Sequence, residues 1–262
     1  MNHQRVHHVL KIKGVIIAMA DKTIIAWTQH SWNPWRGCTK ISPGCTNCYM
    51  FTAQERYGRD PAVVTRTKTW ADPIKWQREA AKTGQRQLVF TCSWSDWFHK
   101  DADPWREEAW AVVKACPMLT FQILTKRHER IRPNLPADWG SGYENVWLGV
   151  SVENRRYGLP RIAALRTIPA AVRFLSIEPL LEDIGQIDLD GIGWVIVGGE
   201  SGPGYRPMDH AWARSLRDQC KVAGVPFFFK QSASQRTEQG IELDGQIIRE
   251  YPVSLPVTAN LF

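Results

Sequence analysis

Short apolar runs alternate along the chain with longer stretches in which apolar residues recur at helical spacing. Leu88–Cys92 (LVFTC), Thr120–Thr125 (TFQILT), Val146–Val152 (VWLGVSV), Arg173–Ile177 (RFLSI), Trp194–Gly198 (WVIVG) and Pro226–Lys230 (PFFFK) read as strands, with Thr23–Trp27 as an earlier one. Between them, residues 105–115 read as a helix with Asp103 as N-cap, Pro104 at its first position and Glu107 and Glu108 in its first turn; Pro117 stops it. Residues 154–166 and 210–223 read as two more helices. Near-continuous apolar strands separated by helices predict a parallel sheet covered on both faces. Six or seven such units predict an α/β fold, a partial or complete parallel βα (TIM-like) barrel with right-handed crossovers. A doubly wound open sheet is the alternative. Asp244-Gly245 predicts a C-terminal hairpin. The chain thus divides into a leader or tail at 1–18, a barrel at 19–231, and a hairpin and tail at 232–262.

Every one of the six later strands runs into residues with chemistry. Leu88–Cys92 leads to Ser93, Ser95 and Asp96, and Thr120–Thr125 to Lys126 and Arg127. Val146–Val150 leads to Ser151, Glu153 and Asn154, and Arg173–Ile177 to Glu178 and Pro179. Gly198, Gly199 and Glu200 follow Val197, and Lys230 and Gln231 follow Phe229. In a parallel βα fold all these ends share one rim, where such folds build their sites.

Three of the six cysteines lie within eleven residues: Cys38, Cys45 and Cys48, in a loop that also holds Gly37, Pro43 and Gly44. Gly and Pro let such a loop curl so that the thiols face one centre. A structural zinc site needs four ligands, usually from two Cys-x-x-Cys knuckles, and one knuckle is present; His30 or Cys92 is the available fourth. A [4Fe–4S] cube on three cysteines leaves one iron open to a small chelating molecule. A disulfide plus a spare thiol is the third reading, which a reducing compartment disfavours.

Composition narrows the picture. With 262 residues, 44% hydrophobic and 23% charged, the chain is neither disordered nor fibrous. Six cysteines are too few for a disulfide scaffold. No apolar stretch of membrane-spanning length is present, and residues 14–20 are too short for a secretory signal, so a cytoplasmic protein is expected. The net charge of +7 overstates the basic character, because Arg5, Lys11 and Lys13 supply three of those charges ahead of Met19.

The motifs NPWRGCTKISPGCTNCY, FTCSWSDWFH, ILTKR, WLGVSVEN, FLSIEPL, VIVGGESGPGYRPM and FFFKQ, spread from about Ile25 to Gln231, resemble a phage and prophage family named after mycobacteriophage gene products and grouped with the radical S-adenosylmethionine enzymes. The resemblance implies a [4Fe–4S] cluster on Cys38, Cys45 and Cys48, S-adenosylmethionine as cofactor, an electron donor as partner, and the host cytoplasm as location. Under that reading, position at the strand ends assigns cofactor contacts to Ser93, Ser95, Asp96, Ser151, Glu153 and Asn154, and catalytic or substrate roles to Lys126, Glu178, Glu200 and Lys230. The chain departs from the usual radical pattern in two places. The first cysteine gap is six residues rather than three, and the aromatic Tyr49 follows the last cysteine instead of preceding it. Gly198-Gly199-Glu200 follows a late strand, so the usual role of such a motif toward the cofactor's amino group does not transfer.

Two further features bear on substrate. Arg127, Arg130 and Arg132, and Arg155, Arg156, Arg161, Arg166 and Arg173, with nearby aromatics, could bind a nucleic-acid backbone, or could solvate helix faces. The stretch 198–204 could cradle a phosphate or simply turn. A zinc-stabilised nucleic-acid-binding module without catalysis, and a metal-independent enzyme using the rim carboxylates, remain as the other readings.

Overall fold

The computed structural model describes residues 23–252, and the backbone of two short segments, Lys11–Ile12 and Val15–Ile16, that pair antiparallel. The expected 1–18 leader lies otherwise outside the described residues, as do 253–262.

Seven strands form one sheet: β1 (His30–Trp32), β2 (Gln87–Thr91), β3 (Leu119–Thr125), β4 (Val146–Ser151), β5 (Val172–Ile177), β6 (Trp194–Gly198) and β7 (Phe227–Gln231). Each pairs in parallel with its predecessor in the chain, so spatial order equals sequence order from β1 to β7. A doubly wound sheet must reverse direction at a switch point. This one never does, and its two edge strands do not meet. The fold is therefore a partial, TIM-like parallel barrel left open on one side.

The period-two alternation of the strands separates two cores. Val89, Phe121, Ile123, Leu148, Val150, Leu175, Ile177, Val195, Val197, Phe227 and Phe229 pack against four helices: α2 (Asp72–Thr83), α3 (Asp103–Lys114), α4 (Arg155–Arg166) and α5 (His210–Ala223). The intervening positions, Phe90, Trp147, Phe174, Trp194, Ile196 and Phe228, form a second cluster free of helices, on the concave face. Gly149 lies in that floor for lack of space, since a Cβ there would stand 2.5 Å from the Phe174 ring.

The six later strands expected from the sequence agree with the structure to within a residue at each end. Thr23–Trp27 does not form a strand: the first strand begins at His30. The 23–27 segment is apolar for another reason. Trp27 plugs the concave face, its ring 4.6 Å from Phe90 and 6.1 Å from Trp194. Asp103 also departs from expectation. It is the first residue of α3 rather than its cap, because a 3-10 turn at Lys100–Ala102 leads directly into the helix. Its carboxylate binds Arg106 and Arg130. Asn154 and Asp209 do cap α4 and α5, accepting from the backbone N–H of Tyr157 and Ala211.

The tail turns at Asp244 and Gly245, both left-handed (φ 56° and 73°), with Leu243 and Gln246 exchanging backbone hydrogen bonds as expected for a two-residue hairpin. Residues 248–250 then run antiparallel along β7, and Tyr251 joins the aromatic floor. No helix among the described residues is long and apolar enough to cross a membrane.

Candidate functional site

Counting upward by twos from the concave floor reaches the chemistry. Leu124 leads to Lys126, Trp147 to Ser151 and Glu153, Phe174 to Glu178, Ile196 to Glu200, and Phe228 to Lys230. The polar ends anticipated from the sequence thus share the concave side of the carboxyl-terminal rim. The cysteine loop leaves β1 and lies across the same rim. A short ribbon, Trp35–Arg36 paired with Thr65–Arg66, carries the chain into it. Gly37 (φ 96°) turns there, where a Cβ would stand 2.3 Å from the Val63 carbonyl oxygen. A 3-10 turn at Pro43–Cys45 follows, and Cys48 is the N-cap of α1 (Tyr49–Arg56). The structure adds α1 and α2 to the expected helices.

Three carboxylates from three strand ends meet this loop. Asp96, after β2, is buried; it accepts from Thr125 Oγ1 (2.7 Å), Phe98 N (2.9 Å) and Lys126 N (2.9 Å). Arg127 lies 3.5 Å from it and donates to Thr39 beside Cys38. Ser95 donates to the Gly37 carbonyl at 2.5 Å. Glu153, after β4, is fully buried. It accepts from Ser42 Oγ (2.8 Å), Gly44 N (2.6 Å), Lys126 Nζ (2.8 Å) and Arg161 Nη1 (3.1 Å). Glu200, after β6, binds Arg206 through both oxygens and accepts from Asn47 Nδ2 at 2.9 Å. Arg206 also donates to the Pro43 carbonyl. The 198–204 stretch is thereby tied to the cysteine loop through its glutamate.

The remaining expected site residues divide. Lys230 and Glu178 pair at 2.5 Å, partly exposed, and Glu178 lies within electrostatic range of Tyr49, the residue after Cys48. Ser93 and Asn33 bond each other, and the Ser93 carbonyl accepts from the Tyr49 hydroxyl. Ser151 is buried beside Ser176 in the sheet. Asn154 is occupied as a helix cap. Lys126 pairs with Glu153, not with Glu178 or Glu200. His30 stands at the opposite end of the sheet, bonded to Gln87 and stacked on Trp76, so it is no partner for the thiols.

Arg161 departs from expectation most. It is buried under the site, not solvating a helix face. Arg127, Arg130, Arg166 and Arg173 are likewise engaged with carboxylates and carbonyls of the chain. Ser42, Gly44, Asn47, Arg161 and Arg206 were not singled out from the sequence as site residues. Ser42, Gly44 and Asn47 lie inside the cysteine loop, and Arg161 was read only as a nucleic-acid contact or a solvating charge; their anchoring roles appear once the fold brings them to the rim.

All six cysteines are free. Burial pushes the Cys38 thiol up to about 12, with Asp96 adding to it against the opposing Arg127; Cys45 and Cys48 lie close enough to contribute. Burial also raises Cys48 and Cys92, and Cys92 is within electrostatic range of Cys38. Among the described residues no three His, Cys, Asp or Glu side chains stand in closed metal-ligating geometry. The thiols share one loop and one desolvated environment without being drawn onto a centre. A cation there would offset the cost of deprotonating Cys38 and Cys48, and its uptake would release protons. The donor set, three thiols with no histidine among them, fits a soft metal or an iron–sulfur cluster.

Burial alone would raise the Glu153 pKa, but Lys126, Arg161 and Ser42 outweigh it and hold it down to about 2. A carboxylate with a depressed folded pKa adds stability above its unfolded pKa, and this is lost as pH falls toward the folded value. Melting temperatures measured from pH 7 to 2 are therefore expected to drop below about pH 4.5. Glu153→Gln should be less stable at pH 7 and lose less across that window. An equal acid dependence in both proteins would show that Glu153 is not the group responsible.

A family model described as a protein of unknown function, DUF5131, matches residues 22–252. The chain belongs to that family. No curated protein matches it. Among solved structures, it is similar to a spore photoproduct lyase mutant with bound AdoMet and dinucleoside spore photoproduct, at 13% identity and a TM-score of 0.47. That match covers 73% of this DUF5131 chain and 61% of the other.

Proposed function

We propose that this DUF5131 protein is an iron–sulfur enzyme of the radical S-adenosylmethionine type. The observation that carries the reading is the placement of three free, desolvated thiols in one loop across the carboxyl-terminal rim of an open parallel barrel. Cys38, Cys45 and Cys48 would hold a [4Fe–4S] cluster, which leaves one iron for a chelating cofactor. Bound there with S-adenosylmethionine and an electron donor, the cluster would supply reductive cleavage of the sulfonium. The chain's own residues bind, orient and exclude water. The aromatic floor of Trp147, Phe174, Trp194 and Phe228 closes the barrel below the rim. Lys230 and Glu178, the rim pair that the loop does not use, are the groups left to meet a substrate. That substrate is proposed to be a nucleic acid or nucleotide, with Arg155 and Arg156 exposed at the start of α4 as contacts.

One observation favours a second reading. Cys92 lies within electrostatic range of Cys38, and four thiols are the donor set of structural zinc in a non-catalytic binding module.

Anaerobic purification separates the two. The first reading expects a brown protein with about four iron and four sulfide per chain. With a strong reductant, that protein should convert S-adenosylmethionine to 5′-deoxyadenosine. One zinc per chain, retained in air, would replace the first reading by the second.

A further inference from the structure

Glu153 draws its hydrogen bonds from three parts of the molecule. Ser42 and Gly44 belong to the cysteine loop, Lys126 to the end of β3, and Arg161 to α4. The carboxylate is fully buried, so none of these donors competes with water. Charged hydrogen bonds are strongest in such a setting, and breaking one there leaves a buried charge unpartnered. The fit is tight from the loop side as well: a Cβ on Gly44 would stand 2.4 Å from the Glu153 carboxyl carbon. Lys126 also lies within electrostatic range of Cys48, and Arg161 reaches the loop through this carboxylate. They set its charge and hold its orientation.

We infer that Glu153 is a positioning residue for the cysteine loop, fixing the 3-10 turn at Pro43–Cys45 before any metal or cluster arrives. Its two oxygens are spent inside the protein, so it is not a contact for cofactor or substrate. Lys126, neutralised by it, belongs to the same anchor. Glu200 supplies a second tether, through Asn47 and through Arg206 to Pro43. The Cys45–Cys48 half of the loop is thus held from β4 and β6, while Cys38 is held from β2 through Arg127 and Thr39. Glu178 and Lys230 remain the rim pair with spare hydrogen-bonding capacity.

The inference rests on the reading of the cysteine loop as the functional element, but its test does not require a cluster. The full chain is prepared metal-free and reduced under argon, then pulsed with N-ethylmaleimide, and each cysteine is quantified by peptide mass spectrometry. Cys116 and Cys220, buried in the helix-side core, report global unfolding. Two variants approach the anchor from opposite sides: Glu153→Gln, and Ser42→Ala, which lies in the half-buried loop and leaves the Glu153–Lys126–Arg161 pairs intact. Loss of a charged hydrogen bond is worth roughly tenfold in a local opening equilibrium. Both variants should therefore label Cys45 and Cys48 about tenfold faster than the wild type, with Cys116 and Cys220 unchanged and Cys38 less affected. Wild-type labelling rates at Cys45 and Cys48 in both variants overturn the inference. If Glu153→Gln unfolds, shown by fast labelling of Cys116 and Cys220, then Ser42→Ala decides by the same two outcomes. A protein that labels as expected yet binds no iron keeps the anchor and loses the cluster.

Discussion

Cys45→Ala, purified without oxygen, is expected to come off the column colourless, with iron reduced from about four per chain to a small fraction. Among the described residues, His99 lies beside the loop but is engaged through both ring nitrogens, Nε2 with Thr39 next to Cys38 and Nδ1 accepting from Asp101 N, and His30 is at the far end of the sheet, so neither is placed to substitute for a lost thiolate. Two thiolates do not retain a cube against competing thiols in solution. The variant should fold normally, because Cys45 contributes a small side chain at the rim and not in either core cluster. Cys38→Ala and Cys48→Ala should behave alike. Cys116→Ala and Cys220→Ala, which remove thiols packed against the helices, should keep full iron. Cys92→Ala is the informative control. It should leave the iron content unchanged if three ligands suffice, and should abolish metal binding if the site is four-thiol zinc. A Cys45→Ala protein that still carries full iron would remove the loop from the metal site altogether. The quantity measured is iron and sulfide per chain, with the absorption near 400 nm as a check.

Much of this arrangement was legible in the sequence, and the reasons are physical. Strand position was readable because a parallel sheet buried on both faces must be apolar throughout, and VWLGVSV or WVIVG has no other use. The shared rim was readable because strands in such a fold end together. The cysteine loop was readable because Gly and Pro surround its thiols. Thr23–Trp27 misled for a related reason: burial demands apolar residues whether the backbone is paired or not, and Trp27 is buried by aromatic rings rather than by a ladder. The anchor under the loop was not readable. Arg161 looks like the arginines around it until α4 docks on β4 and turns it inward, and Ser42 and Asn47 gain partners more than a hundred residues away. Local periodicity carries no information at that separation. The same limit explains the division of the acidic residues. Glu153, Glu178 and Glu200 each follow an apolar strand, and nothing local tells that two of them hold the loop while the third faces Lys230.

Trp194→Ala is expected to be the most destabilising single change in the chain, by about 3–5 kcal/mol, which for a domain of this size lowers the melting temperature by roughly 10 °C or more. Trp194 has no exposed surface and stands at the centre of the concave floor. Its ring lies 5.7 Å from Trp147, 6.0 Å from Phe174, 6.1 Å from Phe228 and 5.3 Å from Tyr251. Its Nε1 donates to the Glu250 carbonyl at 2.8 Å, which ties the returning tail to the barrel. Truncation opens a cavity that rigid neighbouring rings cannot collapse to fill, and removes the donor to the Glu250 carbonyl. An open barrel is especially exposed to this loss, since β1 and β7 do not close on each other and the floor must hold the sheet's curvature. The tail should loosen first, so backbone amides of 248–250 should exchange faster in the variant than those of β4. Val222→Ala, at a position 90% exposed on α5, should melt within about 1 °C of the wild type. A Trp194→Ala protein that melted as high as Val222→Ala would mean that the helix-side core alone holds the half-barrel.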